Sequence, residues 1–357
     1  MTLYMDANAT EPLRPAARGA VLAALEAGGN PSSVHAAGRG ARRLLEAARE
    51  AVAARFAPGF EVVFTAGGTE ANALAIHGLG QGRRVLVGAT EHPAVLAAAG
   101  PAATVLPVLA DGTLDLAALE AVLAEGPPAL VCAMAANNET GVRHPIAEVS
   151  ALCRAHGALL HMDAVQAAGR GALPVGADSI ALSGHKLGGP PGAGALLLRP
   201  GLHLPALIAG GGQERGKRGG TEPLPALAGM AAAVPEPGEA ARLAALRDRI
   251  EAGLPGEGVI AGRGAPRLPN TSLILLPGVA AETQVIALDL AGVRVSAGAA
   301  CSSGKVARSH VLAAMGFGEL AGCGIRVSLP WNAPEDAAER FLEAWSAMRR
   351  RLSKSAA

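Results

Sequence analysis

Short apolar runs alternate with alanine-rich stretches between residues 61 and 199, and this alternation predicts strands and helices. The runs that have the length and composition of buried strands are 61–65, 83–88, 104–108, 129–135, 158–162, 178–183 and 194–199. The intervening segments that are long enough for helices are 69–79, 93–99, 115–125 and 145–156. Strands that alternate with helices favour a mostly parallel sheet covered on both faces, so we predict an α/β fold.

Two longer stretches, 36–56 and 238–253, are typical of amphipathic helices. The composition changes after the second stretch, where a smaller strand and helix unit begins. Its predicted strands are 259–262, 271–276, 293–296 and 325–329, and its predicted helices are 281–291, 307–316 and about 333–352. We therefore expect a large domain at 14–253 and a small domain formed by 1–13 and 254–357.

Composition narrows the class of protein. The 357 residues carry 31 basic and 30 acidic side chains and only 2% aromatic residues, so nucleic-acid binding is disfavoured. No apolar window has the length of a membrane span, and the amino-terminal stretch around Asp6 lacks the apolar region of a signal peptide. The 4 cysteines form no CxxC pair, and no histidine and carboxylate cluster indicates a metal site. We expect a cytoplasmic enzyme with no nucleic-acid or membrane partner.

Candidate chemistry lies where the predicted strands end, because ligands of open α/β sheets bind beyond the carboxyl ends of the strands. After the first run, Gly67 and Gly68 let the backbone approach a ligand, and Thr69 opens a helix whose N–H groups favour a phosphate. An ordinary glycine turn is an equal alternative. Lys186 follows the run 178–183, and a partly desolvated lysine can form a Schiff base with a carbonyl. The alternative is a surface lysine.

Three further motifs are ambiguous when taken singly. Asp163 ends a strand, where it could pair with a protonated pyridine nitrogen or cap a helix. His92 begins a helix, where it could lie on a planar cofactor, cap the helix or be exposed. The stretch 137–141 is typical of a turn and could also recognise a ligand through its amides.

Cys301 lies among small residues and glycines, close in sequence to Lys305 and Arg308. Basic neighbours lower the pKa of a thiol, so this cysteine is a candidate nucleophile. Cys132 and Cys153 lie in apolar runs and are expected to be buried packing residues, and we interpret Cys323 as structural as well.

Taken together, these motifs resemble the cysteine desulfurases of the class-V aminotransferase group. The resemblance runs nearly end to end, and its motifs are YMDANAT at 4–10, GNPSSVH at 29–35, TAGGTEANALAI at 65–76, EHPAVL at 91–96, NNETGV at 137–142, HMDAVQ at 161–166, SGHK at 183–186, GGGQERGKRGGT at 210–221, SAGAACSSG at 296–304 and IRVSL at 325–329. It implies a fold type I transferase that depends on pyridoxal 5'-phosphate, with a mostly parallel seven-stranded sheet in the large domain and a smaller α/β carboxyl-terminal domain.

The resemblance also implies roles for individual residues. Lys186 is expected to bind the cofactor covalently, Asp163 to pair with its ring nitrogen, and His92 to stack on its ring. The other cofactor residues are expected to be Gln166 at the ring hydroxyl, Gly68, Thr69, Ser183 and His185 at the phosphate, and Thr221 at the phosphate of the partner subunit in a homodimer. The expected substrate residues are Asn138 and Arg326 at the carboxylate, with Asn8 and Asn30 lining the pocket.

The implied reaction removes sulfur from L-cysteine and gives L-alanine and a persulfide on Cys301. The persulfide would then pass to a sulfur-acceptor or scaffold protein of an iron–sulfur cluster or thiolation pathway. One alternative is another class-V enzyme, such as a selenocysteine lyase or a transaminase of small amino acids, and a transaminase would not need Cys301. The other is a non-enzymatic partner in sulfur assembly.

Overall fold

The computed structural model describes residues 2–256, 258–298 and 308–355. Its strands are β1 Leu3–Tyr4, β2 Glu61–Thr65, β3 Arg84–Gly88, β4 Thr104–Leu106, β5 Ala129–Met134, β6 Leu159–Asp163, β7 Ser179–Ser183, β8 Gly194–Leu198, β9 Val259–Ala261, β10 Thr271–Leu275, β11 Val293–Arg294, β12 Ser296–Ala297 and β13 Gly324–Ser328. Its α-helices are α1 Pro15–Ala27, α2 Ala36–Phe56, α3 Gly68–Leu79, α4 Pro93–Ala99, α5 Leu116–Ala124, α6 Ile146–Ala155, α7 Leu224–Ala232, α8 Glu239–Gly253, α9 Ala281–Leu290, α10 His310–Ala314 and α11 Ala337–Ser355.

The central sheet has seven strands in the order β2-β8-β7-β6-β5-β3-β4. Strand β8 runs antiparallel to β2 and β7, and the other neighbours are parallel, so the predicted mostly parallel sheet is confirmed. Alternate residues of each strand enter different hydrophobic clusters: Val62 and Phe64 pack with α2, whereas Val63 packs with α3. Side chains alternate between the two faces of the sheet, and helices cover both faces. Apolar residues are therefore found at successive positions in the buried parts of these strands.

A second sheet has the antiparallel order β12-β13-β10-β9. Its core contains Phe341 and Trp345 of α11, and it also takes Leu243 and Ile250 of α8. The amino terminus joins this core through Leu3. The division into domains stays a prediction, and the packing of α8 favours a boundary near residue 238 instead of after residue 253.

Some elements differ from the sequence prediction. The run 293–296 was expected as one strand, but the chain changes sheets at Val295: β11 pairs with β1 and β12 pairs with β13. Helices α1 and α7 are additions to the prediction. In α1 only Ala17 and Ala24 are buried, and small alanines give a weak helical pattern.

Candidate active site

A cavity of about 450 Å³ opens where the carboxyl ends of β5, β6 and β7 meet the amino-terminal segment and β13. It is lined by polar residues that are far apart in the sequence. The predicted site residues that line it are Asn8, Gly68, Thr69, His92, Asn138, Asp163, Gln166, Ser183, His185, Lys186 and Arg326. The expected meeting of strand-end motifs at one edge of the sheet is therefore observed.

Lys186 lies in a 3₁₀ turn, Gly184–Lys186, that follows β7 directly. Its Nζ donates hydrogen bonds to the carbonyl oxygens of Asn8 at 2.5 Å and Ala9 at 2.8 Å. The amine is therefore held at the cavity by main-chain oxygens of the amino-terminal segment. These bonds orient the side chain.

Asp163 ends β6 and is buried. Its Oδ2 accepts the Asn72 amide at 2.8 Å, and its Oδ1 accepts the Val165 N–H at 2.9 Å. Burial raises the pKa of Asp163, and these hydrogen bonds, with the nearby charges of His92 and Lys186, act in the opposite direction. A buried carboxylate favours a cationic partner, such as a protonated ring nitrogen.

His92 caps α4, because its Nδ1 accepts the Ala94 N–H at 3.1 Å. Its ring also lines the cavity, so the capping interpretation and the ligand-binding interpretation both fit the same side chain. Burial lowers the pKa of His92. With Nδ1 as acceptor, the neutral ring carries its proton on Nε2.

One end of the cavity is formed at the start of α3. Gly68 begins this helix, and a Cβ there would lie 2.6 Å from Val165 Cγ2, so only glycine fits. Thr69 follows it, and Ser183 and His185 line the same cavity. Free N–H groups and hydroxyls at a helix amino terminus suit a phosphate. Burial lowers the pKa of His185 to about 4, so its ring is neutral at pH 7.

Arg326 of β13 supplies a buried cation to the cavity. It donates to Asp6 Oδ1 at 2.9 Å and to the Asn138 carbonyl at 3.3 Å. Its Nε is buried and has no hydrogen-bond partner within the described part of the chain. A guanidinium held in this way is suited to a carboxylate ligand.

Asn8 lines the cavity, and its side chain is held by hydrogen bonds to neighbouring protein groups. Its Nδ2 donates to the Asn138 carbonyl and to Thr271 Oγ1, and its Oδ1 accepts from Asn270. Its carbonyl oxygen, which also accepts the Gln166 Nε2–H at 3.0 Å, is the group that binds Lys186. The contribution of Asn8 to the cavity therefore includes its main chain.

Asn30 and Thr221 are not among the residues that line the cavity. Asn30 lies on an exposed turn, where its Oδ1 accepts the Ser32 N–H at 2.8 Å. Thr221 is exposed and lies outside the cavity lining. Cys301 and Lys305 lie outside the described residues. The roles expected for these residues stay predictions.

The other cysteines follow the sequence analysis in part. Cys132 and Cys153 are buried as predicted, and burial raises the pKa of both thiols. Cys323 is half-buried. Arg308, the described basic neighbour of the cysteine segment, is exposed and donates to the Gly318 carbonyl at 2.6 Å.

Among the lining residues that were not predicted from the sequence, three are polar: Asp6, Asn72 and Ser296. Asp6 and Asn72 belong to the motifs at 4–10 and 65–76, which were the available signal. Among the described residues, no group of histidine, cysteine and acidic side chains could hold a metal ion. A search of the described helices finds none with the length and apolarity of a membrane span.

The family model described as Aminotransferase class-V matches residues 3–341, so the chain belongs to this family of pyridoxal-phosphate enzymes. The residues fit the cofactor: a lysine lies at the cavity, a buried carboxylate is available for the ring nitrogen, and a helix amino terminus with a glycine cradle is available for the phosphate.

Within this family, the chain belongs to the cysteine desulfurases. It is 39% identical to the IscS-like cysteine desulfurase of Mycobacterium tuberculosis, over 99% of this chain and 98% of the relative. It is 41% identical to a cysteine desulfurase of Cereibacter sphaeroides, over 96% of this chain and 94% of the relative. Its structure matches a NifS-like protein from Rickettsia africae with a TM-score of 0.90 and 31% identity, over 98% of this chain and 100% of the other.

Proposed function

We propose that this protein is a pyridoxal-phosphate-dependent cysteine desulfurase that converts L-cysteine to L-alanine and keeps the sulfur as a persulfide on Cys301. The observation that carries the proposal is the single cavity lined by Lys186, Asp163 and Arg326. These side chains supply an amine for the cofactor aldehyde, an anion for its ring nitrogen and a cation for the substrate carboxylate. The similarity to cysteine desulfurases over nearly the whole chain supports the same function.

The cofactor-binding residues follow from this proposal. Lys186 would bind the cofactor through Nζ, Asp163 would keep the ring nitrogen protonated, and His92 would contact the ring. Gln166 contacts the ring hydroxyl, and its orientation is set by Arg170, which donates to Gln166 Oε1 at 2.7 Å. Gly68, Thr69, Ser183 and His185 bind the phosphate. When bound, the cofactor stabilises negative charge at the substrate Cα.

The substrate is held and deprotonated by residues of this chain. Arg326 and Asn138 bind the carboxylate of L-cysteine, since Arg326 is a buried guanidinium in a forked geometry. Lys186 moves the Cα proton once its amine is released. The carbonyl groups of Asn8 and Ala9 orient that amine through the contacts described above.

Cys301 carries the sulfur transfer. Its thiolate attacks the substrate sulfur, an S–S bond forms, and the C–S bond breaks with its electron pair going to Cβ. Cβ then takes a proton and Cα regains one from Lys186, which gives L-alanine. Lys305 and Arg308, close in sequence, favour the thiolate. The persulfide then passes to an acceptor protein of iron–sulfur cluster assembly or thiolation.

The proposal includes a homodimer in which Thr221 reaches the phosphate of the partner subunit. Thr221 is exposed in the single chain, and Leu22, Leu25, Leu207 and Ile208 are exposed apolar residues suited to a subunit contact. The cytoplasmic location stays a prediction.

The test is the reaction of purified, cofactor-loaded protein with L-cysteine and a thiol reductant, with alanine and sulfide both measured. We expect Lys186→Ala to lose alanine formation and the covalent label left by borohydride reduction. We expect Cys301→Ser to keep the cofactor absorbance and to lose sulfide release. Sulfide release at the wild-type rate in Cys301→Ser would overturn the nucleophile, and borohydride-treated protein with an unlabelled Lys186 would overturn the site.

The same preparation separates the alternatives. Alkylation of Cys301 stops desulfuration, whereas a transaminase of small amino acids would continue to form its product. A protein without bound cofactor after production with ample vitamin B6 would favour the non-enzymatic partner.

A further inference from the structure

A line of buried polar side chains leads away from Asp163 into the large domain. Asp163 Oδ2 accepts from Asn72 Nδ2 at 2.8 Å, Asn72 Oδ1 lies 2.9 Å from His161 Nε2, and His161 Nδ1 lies 2.8 Å from Ser179 Oγ. The exposed fractions are 6% for Asp163, 2% for Asn72 and 0% for both His161 and Ser179. All four side chains are therefore shielded from bulk water, which does not compete for these hydrogen bonds.

The direction of every hydrogen bond in this line follows from its first member. A carboxylate only accepts, so the Asn72 amide nitrogen faces Asp163 and the Asn72 oxygen faces His161. That oxygen must receive a proton, which places the hydrogen of the imidazole on Nε2. A neutral imidazole then has its lone pair on Nδ1, and the Ser179 hydroxyl donates to it.

The surroundings of His161 agree with a neutral ring. Burial lowers the pKa of His161 to about 4, and no carboxylate of the described residues is within hydrogen-bond distance of it. The neutral ring with Nε2–H is the form that the Asn72 oxygen requires.

We propose that Asn72 and His161 are positioning residues that lock the Asp163 carboxylate in the orientation needed by the ring nitrogen of the cofactor. This inference rests on the proposed function. Asn72 holds one carboxylate oxygen and the Val165 N–H holds the other, so the carboxylate cannot rotate. His161 holds Asn72: without the imidazole donor the amide is free to turn over, since its two ends have nearly the same shape, and its oxygen would then face the carboxylate.

The other charged groups near Asp163 are Glu91, His92 and Lys186. They lie on different segments from His161 and do not take part in this line of hydrogen bonds. Substitution of His161 therefore changes the support of Asp163 and leaves its charged neighbours in place.

The test compares His161→Phe, which removes both ring nitrogens, with His161→Gln, whose amide nitrogen can replace Nε2–H. The sample is the cofactor-loaded protein in whatever oligomeric state it adopts. We measure the dissociation constant of pyridoxal phosphate and the pH midpoint of its visible absorbance. We expect a dissociation constant about threefold to tenfold higher in His161→Phe, the range for the loss of one hydrogen bond between neutral groups. The midpoint should move to higher pH. A poorly oriented Asp163 leaves less positive charge on the ring nitrogen, so a proton on the neighbouring imine is repelled more weakly. His161→Gln should stay near the wild type.

An unchanged midpoint and dissociation constant in a folded His161→Phe would overturn the proposal. If that variant does not fold, nitrogen NMR of the wild-type histidines decides: protonation of His161 at Nδ1 would overturn the proposal, and protonation at Nε2 would support it. Failure of the wild type to bind the cofactor would instead overturn the proposed function, so the two failures are distinguishable.

Discussion

The guanidinium of Arg326 is oriented by two segments that are remote from β13 in the sequence. Asp6 lies on the amino-terminal segment and Asn138 on the turn after β5, and each supplies an oxygen. Only 2% of Arg326 is exposed, so the forked geometry is set by protein contacts. The planar fork matches a carboxylate, and an ammonium group cannot reproduce it.

We expect Arg326→Lys to raise the KM for L-cysteine by about tenfold to a hundredfold, the equivalent of about 1.5–3 kcal/mol for a charge-assisted hydrogen bond. Cofactor absorbance should be retained, because Arg326 contacts none of the predicted cofactor residues in the hydrogen-bond network. Steady-state kinetics over a range of L-cysteine concentrations measure the effect. A wild-type KM in this variant would contradict the assignment of the carboxylate site.

At the scale of single residues, the sequence indicated most of the side chains that line the site and few of the groups that hold them in place. Lys186, Asp163 and His92 could be found because polar residues at the ends of apolar runs are conspicuous. The carbonyl oxygens that bind Lys186 could not be found, because a main-chain group has no sequence signature. Asp6 meets Arg326 only through folding, since the two are 320 residues apart.

At the scale of elements, the turn after β5 contacts both described flanks of the cysteine segment. Glu139 Oε2 accepts the Ser309 hydroxyl at 2.6 Å, and a Cβ on Gly298 would lie 2.8 Å from the same oxygen. Ser309 also caps α10 by accepting the Leu312 N–H at 3.1 Å. Burial raises the pKa of Glu139, and the Ser309 hydroxyl acts against this rise.

We expect Ser309→Ala to lower the free energy of unfolding by about 1–3 kcal/mol, because it removes a helix cap and leaves a buried carboxylate without its donor. Ser309→Thr keeps the hydroxyl and is the matched control. Urea unfolding of the cofactor-loaded protein measures both. Equal stabilities of the alanine and threonine variants would show that the hydroxyl contributes nothing.

The segment Gln213–Gly216 has two adjacent left-handed residues, Glu214 at φ 48° and Arg215 at φ 55°. Glu214 is fixed by two bonds from Arg49, at 2.7 and 2.9 Å, and by the Phe64 N–H at 2.8 Å. These contacts attach the segment to α2 and to the edge strand β2. They hold a backbone conformation that side chains other than glycine rarely adopt.

We expect Glu214→Ala to cost about 3 kcal/mol, the lower end of the range for breaking a buried ion pair, because Arg49 keeps only the half-buried Glu46 as an anionic partner at 3.1 Å. Arg215→Gly is the comparison: it relieves the left-handed conformation at an exposed position, and its stability should stay within about 1 kcal/mol of the wild type. Thermal and urea unfolding are the measurements. A loss in Arg215→Gly as large as that in Glu214→Ala would contradict this division of roles.

Element prediction succeeded where burial imposes a strong period and failed where it does not. All strands of the central sheet were indicated, because most of them are buried on both faces in apolar clusters; the edge strand β4, in which only Leu106 is buried, was indicated by its β-branched composition. Helix α1 was missed since most of its side chains are small or exposed. The division of 293–296 between β11 and β12 depends on pairing with β1 and β13, which lie far away in the sequence.

At the scale of the whole molecule, two fully buried histidines link stability to pH. Burial lowers the pKa of both His144 and His161 to about 4. The unfolded chain binds protons to these rings below its pKa of about 6.5, whereas the folded chain does not. Their contribution to stability is therefore complete above pH 6.5 and is lost as the pH falls toward 4. The buried acids Glu91, Glu139 and Asp163, whose pKa values are raised, change stability in the opposite direction.

We expect His144→Asn to flatten the fall in stability between pH 7 and pH 4, since one such histidine accounts for about 3 kcal/mol over this range. The Asn oxygen can accept the Leu114 N–H that the ring accepts at 3.0 Å. Urea midpoints are measured at several pH values for the variant and the wild type. The difference between the two proteins removes the contribution of the buried acids, because both proteins contain them. Identical slopes would contradict the assignment.

The pairing of β1 with β11 has a consequence for synthesis on the ribosome. Strand β1 is synthesised first but can pair only after residues 293–294 have been made. The main-chain N–H groups of Ala7 and Asn8 also donate hydrogen bonds to Ser328. The nascent chain can thus complete its central sheet at residue 198 before Ser328, which holds the amino-terminal segment, has been made. At about 5–20 residues per second, several seconds separate the two events. The support of the amino-terminal segment by β11 and Ser328 is therefore completed among the last steps of synthesis, so a chain truncated before them would hold the catalytic amine less firmly.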